Sequence, residues 1–287
     1  AEWMIEGEPT RDVFAMDVAR YGDYCSRPYA RKKVTENYQR RFSITYPNEE
    51  LPAARPFQTT PAYPIWRVQR AVFGQAYGME AVNYFAPEGE PLLETPSFRR
   101  SNAFDAVGAE CRAVRTKVGI TEIHNFGKYK ITGPKAAEWI DMIMAGRVPK
   151  VGRMSLSPML SPKGRLIGDF TIARLAEEEF QLTASFGAQG YHLRWFWDHL
   201  PEEGVEIENV SLKRIGFQIA GPHARDLLAK VTYEDVSTEA FPFMSVKRMG
   251  VGLSDAIVQR VTYTGDLGYE IYVPADDLTD PAPATSF

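Results

Sequence analysis

The chain has 287 residues, 44% of them hydrophobic and 12% aromatic, which is enough to bury a substantial core in one large domain or two ordinary ones. Its formal net charge of -4 gives no electrostatic case for binding nucleic acid or an anionic membrane surface. No apolar run approaches the roughly 18 residues that span a bilayer, and the acidic, proline-containing start is unlike a secretion signal. We therefore expect a protein of the cytosol or of an organelle matrix, with small molecules or other proteins as partners.

The first 98 residues are predicted to depend on another part of the protein. The chain starts at Ala1 inside an apolar segment, without an initiator methionine, and we interpret residues 1–26 as the end of a preceding domain. In residues 27–98, repeated X-Pro pairs such as Tyr46-Pro47 restrict the backbone to extended or turn conformations. The same region has too many aromatic side chains for a disordered linker. We predict an irregular middle region that packs on a neighbouring domain, and we expect the chain to be a fragment.

An internal repeat follows in residues 99–287, where Tyr129–Ile140 matches Phe217–Leu228. In each copy a strand pattern of period two leads into Gly-Pro, which turns the chain and opens a helix, because proline suits the first helical position. Two copies of one strand-turn-helix unit predict an α+β domain with internal pseudosymmetry. Independent convergence on a common turn is the alternative.

A helical stripe follows the first copy, and it consists of Leu193, Phe196, Trp197 and Leu200. We predict that this stripe packs on a sheet and does not line a cofactor. The four histidines and two cysteines of the chain show no metal-ligand spacing. The sequence therefore predicts no metal site, reduced cysteines, and histidines that are structural or lie at the surface.

The segment Ser161–Leu175 carries a carboxylate in the middle of a predicted strand. A Pro-Lys-Gly turn leads into this strand, in which Leu166, Phe170 and Ile172 share one face. Asp169 lies on the opposite face, although aspartate is depleted from strands. Asp169 therefore either faces water or has a polar task in a cavity, and the residues alone leave both interpretations open.

A second carboxylate lies in the run Arg260–Pro274, where two extended segments flank a Gly-Asp-Leu-Gly turn. In the second segment Tyr269, Ile271 and Val273 share a face, and Glu270 projects from the other. A carboxylate flanked by aromatic rings suits a flat heterocycle with ring N–H donors, because paired hydrogen bonds fix its orientation. A glutamate on a solvated strand face is the alternative.

These features together resemble the aminomethyltransferase family, which includes the glycine cleavage T-protein. They are the Pro-Lys-Gly-x-Leu-Ile-Gly-Asp run to Asp169, the Arg-x-Thr-Tyr-Thr-Gly-Asp-x-Gly-Tyr-Glu run to Glu270, and the two Gly-Pro units. Upstream, the segments Ala1–Pro9, Tyr46–Glu50 and Asn83–Pro87 are similar to the dimethylglycine and sarcosine dehydrogenase family. In those proteins a flavin domain precedes a short middle region and a folate-binding module.

The resemblance implies a fold and a domain plan. The fold is the α+β aminomethyltransferase-like folate-binding fold, of which residues 99–287 form the N-terminal part of a truncated domain. Residues 1–26 are the tail end of an FAD-dependent oxidoreductase domain, and residues 27–98 are the middle region that packs on the flavin domain. Because the chain lacks a G-x-G-x-x-G fingerprint, FAD is expected in the missing upstream domain.

The resemblance also implies an activity and a site. Flavin takes a hydride from an N-methyl group, and tetrahydrofolate captures the one-carbon unit as 5,10-methylene-tetrahydrofolate. Asp169 has the position of the carboxylate near the reacting folate nitrogens, and it is our candidate for the proton transfer. Glu270 has the position of the pterin-anchoring carboxylate, and Tyr263 borders the pterin. The chain departs from the T-protein pattern at Leu156, which is often tyrosine, and at Ser161, which is often asparagine.

Two other functions remain open on the sequence. One is a flavin-independent, folate-dependent aminomethyltransferase or demethylase of the same fold, and the other is a non-catalytic folate-binding protein. The residues do not identify the amine, which could be dimethylglycine, sarcosine or another N-methyl compound. Because the proline-rich layer would expose apolar surface without the flavin domain, we also expect the fragment to self-associate.

Overall fold

The computed structural model describes residues 2–7, 13, 16–22 and 24–278, and it contains two five-stranded sheets and one two-stranded sheet. The helices are α1 (Glu2–Glu6), α2 (Arg27–Gln39), α3 (Tyr63–Val68), α4 (Phe104–Thr116), α5 (Ala136–Ile143), α6 (Gln189–Asp198) and α7 (Ala224–Val231). The strands are β1 (Ala71–Ala76), β2 (Met79–Phe85), β3 (Gly119–Glu122), β4 (Phe126–Thr132), β5 (Met154–Leu160), β6 (Leu166–Ala176), β7 (Glu179–Ser185), β8 (Glu206–Asn209), β9 (Arg214–Ala220), β10 (Val246–Val251), β11 (Ser254–Gln259) and β12 (Gly268–Pro274).

The first five-stranded sheet has the antiparallel order β5-β6-β7-β4-β8, and helices α5 and α6 cover its outer face. Phe196 of α6 is fully buried there, and its ring contacts those of Tyr129, Trp139 and Phe170 at centroid distances of 5.3, 5.5 and 5.7 Å. Trp197, which the sequence placed in the same stripe, is 61% exposed. The predicted packing of α6 on a sheet is therefore confirmed for Phe196 and wrong for Trp197.

The second five-stranded sheet has the order β10-β11-β12-β9-β3, and α7 covers its outer face. Tyr269, Ile271 and Val273 of β12 all point into this core, as the period-two pattern predicts. The inner faces of the two five-stranded sheets meet at a shared apolar cluster, which includes Met154 from β5 and Tyr272 from β12. The outer face of each sheet is therefore a core of its own, and the inner faces form a seam.

The sequence repeat is present as two copies of one backbone unit. Strand β4 runs through Gly133-Pro134 into α5, and β9 runs through Gly221-Pro222 into α7. Gly133 and Gly221 have φ angles of +125° and +128°, a region that favours glycine. A Cβ at Gly133 would lie 2.3 Å from a backbone oxygen, and one at Gly221 would lie 2.5 Å from another. The repeat therefore reflects the same requirement for close backbone approach at both corners.

Residues 27–98 are more regular than their proline content predicts. They contain the 13-residue helix α2, the helix α3 and the β1–β2 hairpin, so the prediction of an irregular layer is wrong for much of this region. The helices tolerate these prolines because Pro28 and Pro64 lie in the first turns of α2 and α3, where the missing N–H costs no hydrogen bond.

In the described ranges, no helix combines the length and the apolar character that crossing a membrane requires.

The middle region contacts the end of the first five-stranded sheet through Tyr77. The Tyr77 ring, between β1 and β2, lies 6.1 Å from the Phe186 ring, which follows β7. The neighbouring Gly187 has no room for a side chain, because a Cβ there would lie 2.1 Å from Tyr77. The domain boundaries at residues 26/27 and 98/99 stay a prediction.

Candidate functional site at the sheet seam

Glu270 lies on the inner face of β12, opposite a glutamine on each side. In the strand register it pairs with Gln218 of β9 and with Gln259 of β11. Side chains directly opposite each other in neighbouring strands share a face and lie about 5 Å apart at their Cβ atoms. The three side chains therefore form a row across three strands, with the carboxylate at its centre.

The Glu270 carboxyl group is partly buried and has two polar neighbours. The Tyr272 hydroxyl donates a hydrogen bond to Glu270 Oε2 at 2.8 Å. Burial raises the pKa of the Glu270 carboxyl, while the Tyr272 hydrogen bond and the charge of Lys128 act in the opposite direction. A glutamate on a freely solvated strand face would lack this burial, so the structure supports the interpretation of Glu270 as a group inside a site.

Lys128 of β4 faces the same seam from the other sheet, and its side chain is fully buried. Its Nζ donates to the backbone oxygens of Phe126 at 2.8 Å and of His124 at 3.2 Å. Burial lowers the pKa of Lys128 to about 7, assisted by the Arg214 charge and opposed by that of Glu270. The seam therefore has a buried amine on one sheet and a partly buried carboxyl group on the other.

Several buried polar atoms at the seam have no hydrogen-bond partner within the described structure. Both side-chain amide atoms of Gln259 lack one, as does Nε2 of Gln181, whose Oε1 accepts from Arg214. Such orphaned groups are rare in folded proteins, because each costs about 1 to 3 kcal/mol of desolvation. Gln259 lies directly opposite Glu270 in the strand register, so its unpartnered atoms indicate a place where a polar ligand or ordered water supplies the remaining hydrogen bonds.

Tyr263 lies close to this row through its backbone. It belongs to the loop between β11 and β12, and its N–H donates to Gln218 Oε1 at 3.1 Å. Its ring is 86% exposed. The sequence placed Tyr263 in an extended segment, but β11 ends at Gln259, so Tyr263 belongs to a loop and not to a strand. The structure therefore brings Tyr263 and Glu270 together, with Gln218 between them.

Asp169 lies on the first five-stranded sheet, on the face that Lys128 also shares. It is exposed on β6 and shares its face with Thr171, two residues further along the strand. Thr171 pairs with Thr183 of β7, which in turn pairs with Lys128. Because neighbouring strands are about 4.8 Å apart, the β6 and β4 backbones are separated by roughly 10 Å. Asp169 and Glu270 thus border one seam from opposite sheets, without a direct contact between them.

A protein-family model for the GCVT N-terminal domain matches residues 62–281. The chain belongs to this family. Residues 6–60 match a second model, the FAD dependent oxidoreductase central domain. Among solved structures, the GCVT fold of this chain is similar to that of the glycine cleavage system aminomethyltransferase T from Bartonella henselae. That similarity has a TM-score of 0.63 at 22% sequence identity and covers 77% of this chain and 55% of that chain.

Curated relatives of this GCVT chain include mitochondrial enzymes and a regulatory subunit. Human mitochondrial dimethylglycine dehydrogenase is 34% identical over 279 residues, which is 96% of this chain and 32% of that protein. The mouse mitochondrial pyruvate dehydrogenase phosphatase regulatory subunit is 28% identical over 285 residues, again 96% of this chain and 32% of that protein. The chain therefore spans about a third of the length of the curated relatives that it matches.

The two departures from the T-protein pattern occupy distinct places in the GCVT fold. Leu156 of β5 pairs with Thr171 in the strand register and is 64% exposed, so it offers an apolar contact on the Asp169 side. Ser161 lies in the turn before β6, where its Oγ accepts a hydrogen bond from the Arg165 N–H at 3.2 Å. Ser161 is therefore engaged in the turn itself.

Sequence reasoning missed Lys128 and the two glutamines that flank Glu270. Glutamine is common on solvated strand faces, so Gln218 and Gln259 carried no signal of their own. The sequence does contain a signal for Lys128, because the residue at the same position of the second repeat copy is Gly216. A lysine in one copy and a glycine in the other indicates that the two strands have different neighbours on that face.

Proposed function

We propose that this chain is the tetrahydrofolate-binding, one-carbon-transfer part of a flavin-dependent dehydrogenase that demethylates an N-methylamine such as dimethylglycine or sarcosine. The observation that carries the proposal is the row Gln218-Glu270-Gln259 at the seam, with unpartnered amide atoms beside a partly buried carboxylate. The relationship to human dimethylglycine dehydrogenase over 96% of the chain supports the same function. The product is 5,10-methylene-tetrahydrofolate.

The residues at the seam fit a pteridine ring. The Glu270 carboxylate can accept two N–H hydrogen bonds from the edge of the ring, which fixes both affinity and orientation. Tyr263, on the neighbouring loop, presents an exposed ring that can cover one face of a flat ligand. Leu156 adds apolar surface on the opposite sheet. When bound, tetrahydrofolate supplies the amine nucleophile that captures the one-carbon unit.

Asp169 is the candidate for proton transfer in this proposal. It is exposed on the seam side of β6, so a ligand anchored at Glu270 on the other sheet can extend towards it. An accessible carboxylate can take up a proton from an amine nucleophile and hold that amine in place. In this proposal Glu270 anchors the pteridine ring and Asp169 transfers the proton.

The flavin belongs to another part of the proposed protein. The match of residues 6–60 to the FAD dependent oxidoreductase central domain favours a flavoenzyme over a flavin-independent aminomethyltransferase. We propose that residues 1–98 pack on the flavin domain and that residues 99–287 belong to the folate domain. We propose a location in the cytosol, or in the mitochondrial matrix of a eukaryote.

Substitution of the two carboxylates in the holoenzyme tests this function. Glu270→Gln should weaken tetrahydrofolate binding about 10- to 100-fold, because it removes a charge-assisted hydrogen-bond acceptor. Asp169→Asn should change the Kd little but lower methylene-tetrahydrofolate formation about 100-fold, with release of free formaldehyde. Titration calorimetry measures binding, and product assay measures transfer. Asp255→Asn, at an exposed aspartate of β11, is the matched control.

A second candidate function is folate binding without catalysis. The relationship to a protein named as a regulatory subunit, at the same coverage of this chain, favours it. Unchanged methylene-tetrahydrofolate output from the Asp169→Asn holoenzyme would remove the catalytic role of Asp169. Absence of tetrahydrofolate binding to the unsubstituted holoenzyme would contradict both functions.

A further inference from the structure

Tyr272 of β12 is held in place by the packing between the two five-stranded sheets. Its side chain is 1% exposed and belongs to the apolar cluster that the inner faces share, together with Met154 and Ile257. In the strand register it lies opposite Ile257 of β11 and Gly216 of β9. A Cβ at Gly216 would lie 2.9 Å from the Tyr272 ring, so the ring occupies the space that a side chain would need. This packing fixes the position of the Tyr272 hydroxyl oxygen.

The Tyr272 hydroxyl is a hydrogen-bond donor to Glu270. It lies 2.8 Å from Glu270 Oε2, a normal distance between a hydroxyl and a carboxyl oxygen. Burial is the leading cause that raises the pKa of Tyr272 above its ordinary value, so the hydroxyl keeps its proton at neutral pH. A hydroxyl has one proton to donate, and here that proton is directed at Oε2. Oε1 and the second lone pair of Oε2 can still accept N–H groups from a ligand.

The orientation of the Glu270 carboxyl group matters for the ligand that we propose. The last torsion of a glutamate side chain is broad, so the plane of an unrestrained carboxylate varies. A flat ring with two parallel N–H groups at its edge requires the carboxylate in the plane of that ring. A donor that the core holds still can select this plane before the ligand binds, and such preorganisation lowers the cost of binding.

We propose that Tyr272 is a positioning residue whose hydroxyl fixes the plane of the Glu270 carboxyl group for the N–H edge of a pteridine. This inference rests on the proposed role of Glu270 as the ring anchor. Tyr272 acts through Glu270, because its own side chain is buried between the sheets. Gly216 is part of the same arrangement, because a side chain there would displace the tyrosine ring.

The test compares Tyr272→Phe with Tyr269→Phe in the holoenzyme. Tyr269 is a matched control, because it is also fully buried on β12 but points into the outer core, with its hydroxyl 3.5 Å from the backbone oxygen of Val236. Tyr272→Phe should raise the tetrahydrofolate Kd about 3- to 10-fold, because the ligand must then order a mobile carboxyl group. The rate of methylene-tetrahydrofolate formation at saturating tetrahydrofolate should stay the same. Anaerobic calorimetry measures the Kd, a product assay measures the rate, and Tyr269→Phe should alter neither.

A double-mutant cycle separates positioning from a general effect on the fold. Glu270→Ala has no carboxyl group to position, so adding Tyr272→Phe to it should leave the Kd within about twofold of Glu270→Ala alone. A tyrosine that only supports the sheet packing would weaken binding by the same factor in both backgrounds.

Four outcomes would overturn the inference while the proposed function stands. They are an unchanged Kd in Tyr272→Phe, an equal rise in Tyr269→Phe, a lower rate at saturating tetrahydrofolate in Tyr272→Phe, and an undiminished effect of Tyr272→Phe on the Glu270→Ala background. If both Tyr272→Phe and Tyr272→Met fail to fold by circular dichroism, Tyr272 is a structural residue and the inference is wrong. Absence of tetrahydrofolate binding in the unsubstituted holoenzyme is a failure of the proposed function itself.

Discussion

The buried polar side chains of this protein differ in whether they have a charged partner. Arg55 and Glu80 satisfy each other, with Arg55 Nη2 and Glu80 Oε2 2.7 Å apart. The Tyr129 hydroxyl lies 3.2 Å from Nδ1 of His192, whereas neither ring nitrogen of His124 has a hydrogen-bond partner among the described residues. Burial is the leading cause that lowers the pKa of each histidine to about 4, so both are neutral in the folded protein near pH 7.

These two histidines predict a loss of stability in mild acid. Between about pH 6.5 and pH 4 the histidines of the unfolded chain bind protons, whereas the buried histidines of the folded protein stay neutral. The free energy of unfolding therefore decreases as the pH is lowered through this range. Each histidine contributes up to about 3 kcal/mol, from 2.5 pKa units at 1.36 kcal/mol per unit.

Urea unfolding at several pH values, followed by circular dichroism, measures this slope. His192→Gln should remove about half of it, while His223→Gln, at an exposed histidine, should leave it unchanged. Raised carboxyl pKa values act in the opposite direction, but they are common to all three proteins. An equal slope in the His192→Gln variant and the unsubstituted protein would contradict the prediction.

How much of the site was predictable also depends on single residues. Strand alternation placed Glu270 on the face opposite Tyr269 and Ile271, which the structure confirms. The roles of Asp169, Tyr263 and Glu270 stay predictions. Alternation says which residues share a face of one strand, but it does not say what lies across the seam. The pairing of β4 with β7, and of the two sheets with each other, brings in Lys128, and those contacts join residues far apart in the sequence.

At the scale of whole elements, the Gly-Pro corners were the most predictable part of the fold. Both copies combine period-two strands, a glycine with positive φ and a proline at the start of a helix, so local signals agree with the tertiary structure. The α2 helix was missed, because the X-Pro pairs further along residues 27–98 were taken as typical of the whole region. The sequence-predicted stripe on α6 also extended too far, since the helix ends at Asp198 and Trp197 faces outward.

Substitution of the glycine at either Gly-Pro corner is expected to destabilise the fold. Gly133→Ala and Gly221→Ala each place a Cβ against a backbone oxygen at a φ near +125°, so each should lower the free energy of unfolding by about 2 to 4 kcal/mol. Gly250→Ala is the control, because Gly250 has an ordinary φ and open space around it. Chemical denaturation measures all three. A cost below about 0.5 kcal/mol at both corners would show that the backbone can relax there.

At the scale of the whole molecule, exposed apolar side chains are prominent in the first hundred residues. Met4 is 85% exposed, Phe42 97% and Val68 85%. Where such side chains lie together, they mark an interaction site or an aggregation liability. The sequence predicted such a surface on residues 27–98, facing a flavin domain.

We therefore expect the isolated chain to self-associate at micromolar concentrations, and light scattering should report a mass above 32.3 kDa that rises with concentration. Phe42→Ser combined with Val68→Ser should reduce the association. Leu253→Ser is the control, because Leu253 is equally exposed but lies in the turn between β10 and β11. A monodisperse monomer of the unsubstituted chain would contradict the expectation.

The two copies of the strand-turn-helix unit share a backbone but not their inward side chains. Where the first copy has Lys128, the second has Gly216, and a Cβ there would lie 2.9 Å from the Tyr272 ring. The missing side chain makes room for the tyrosine whose hydroxyl reaches Glu270. A protein with two identical halves would have either a lysine in both copies or a glycine in both copies at this position. Divergence of the halves is thus a precondition for the seam to combine an acid with a base.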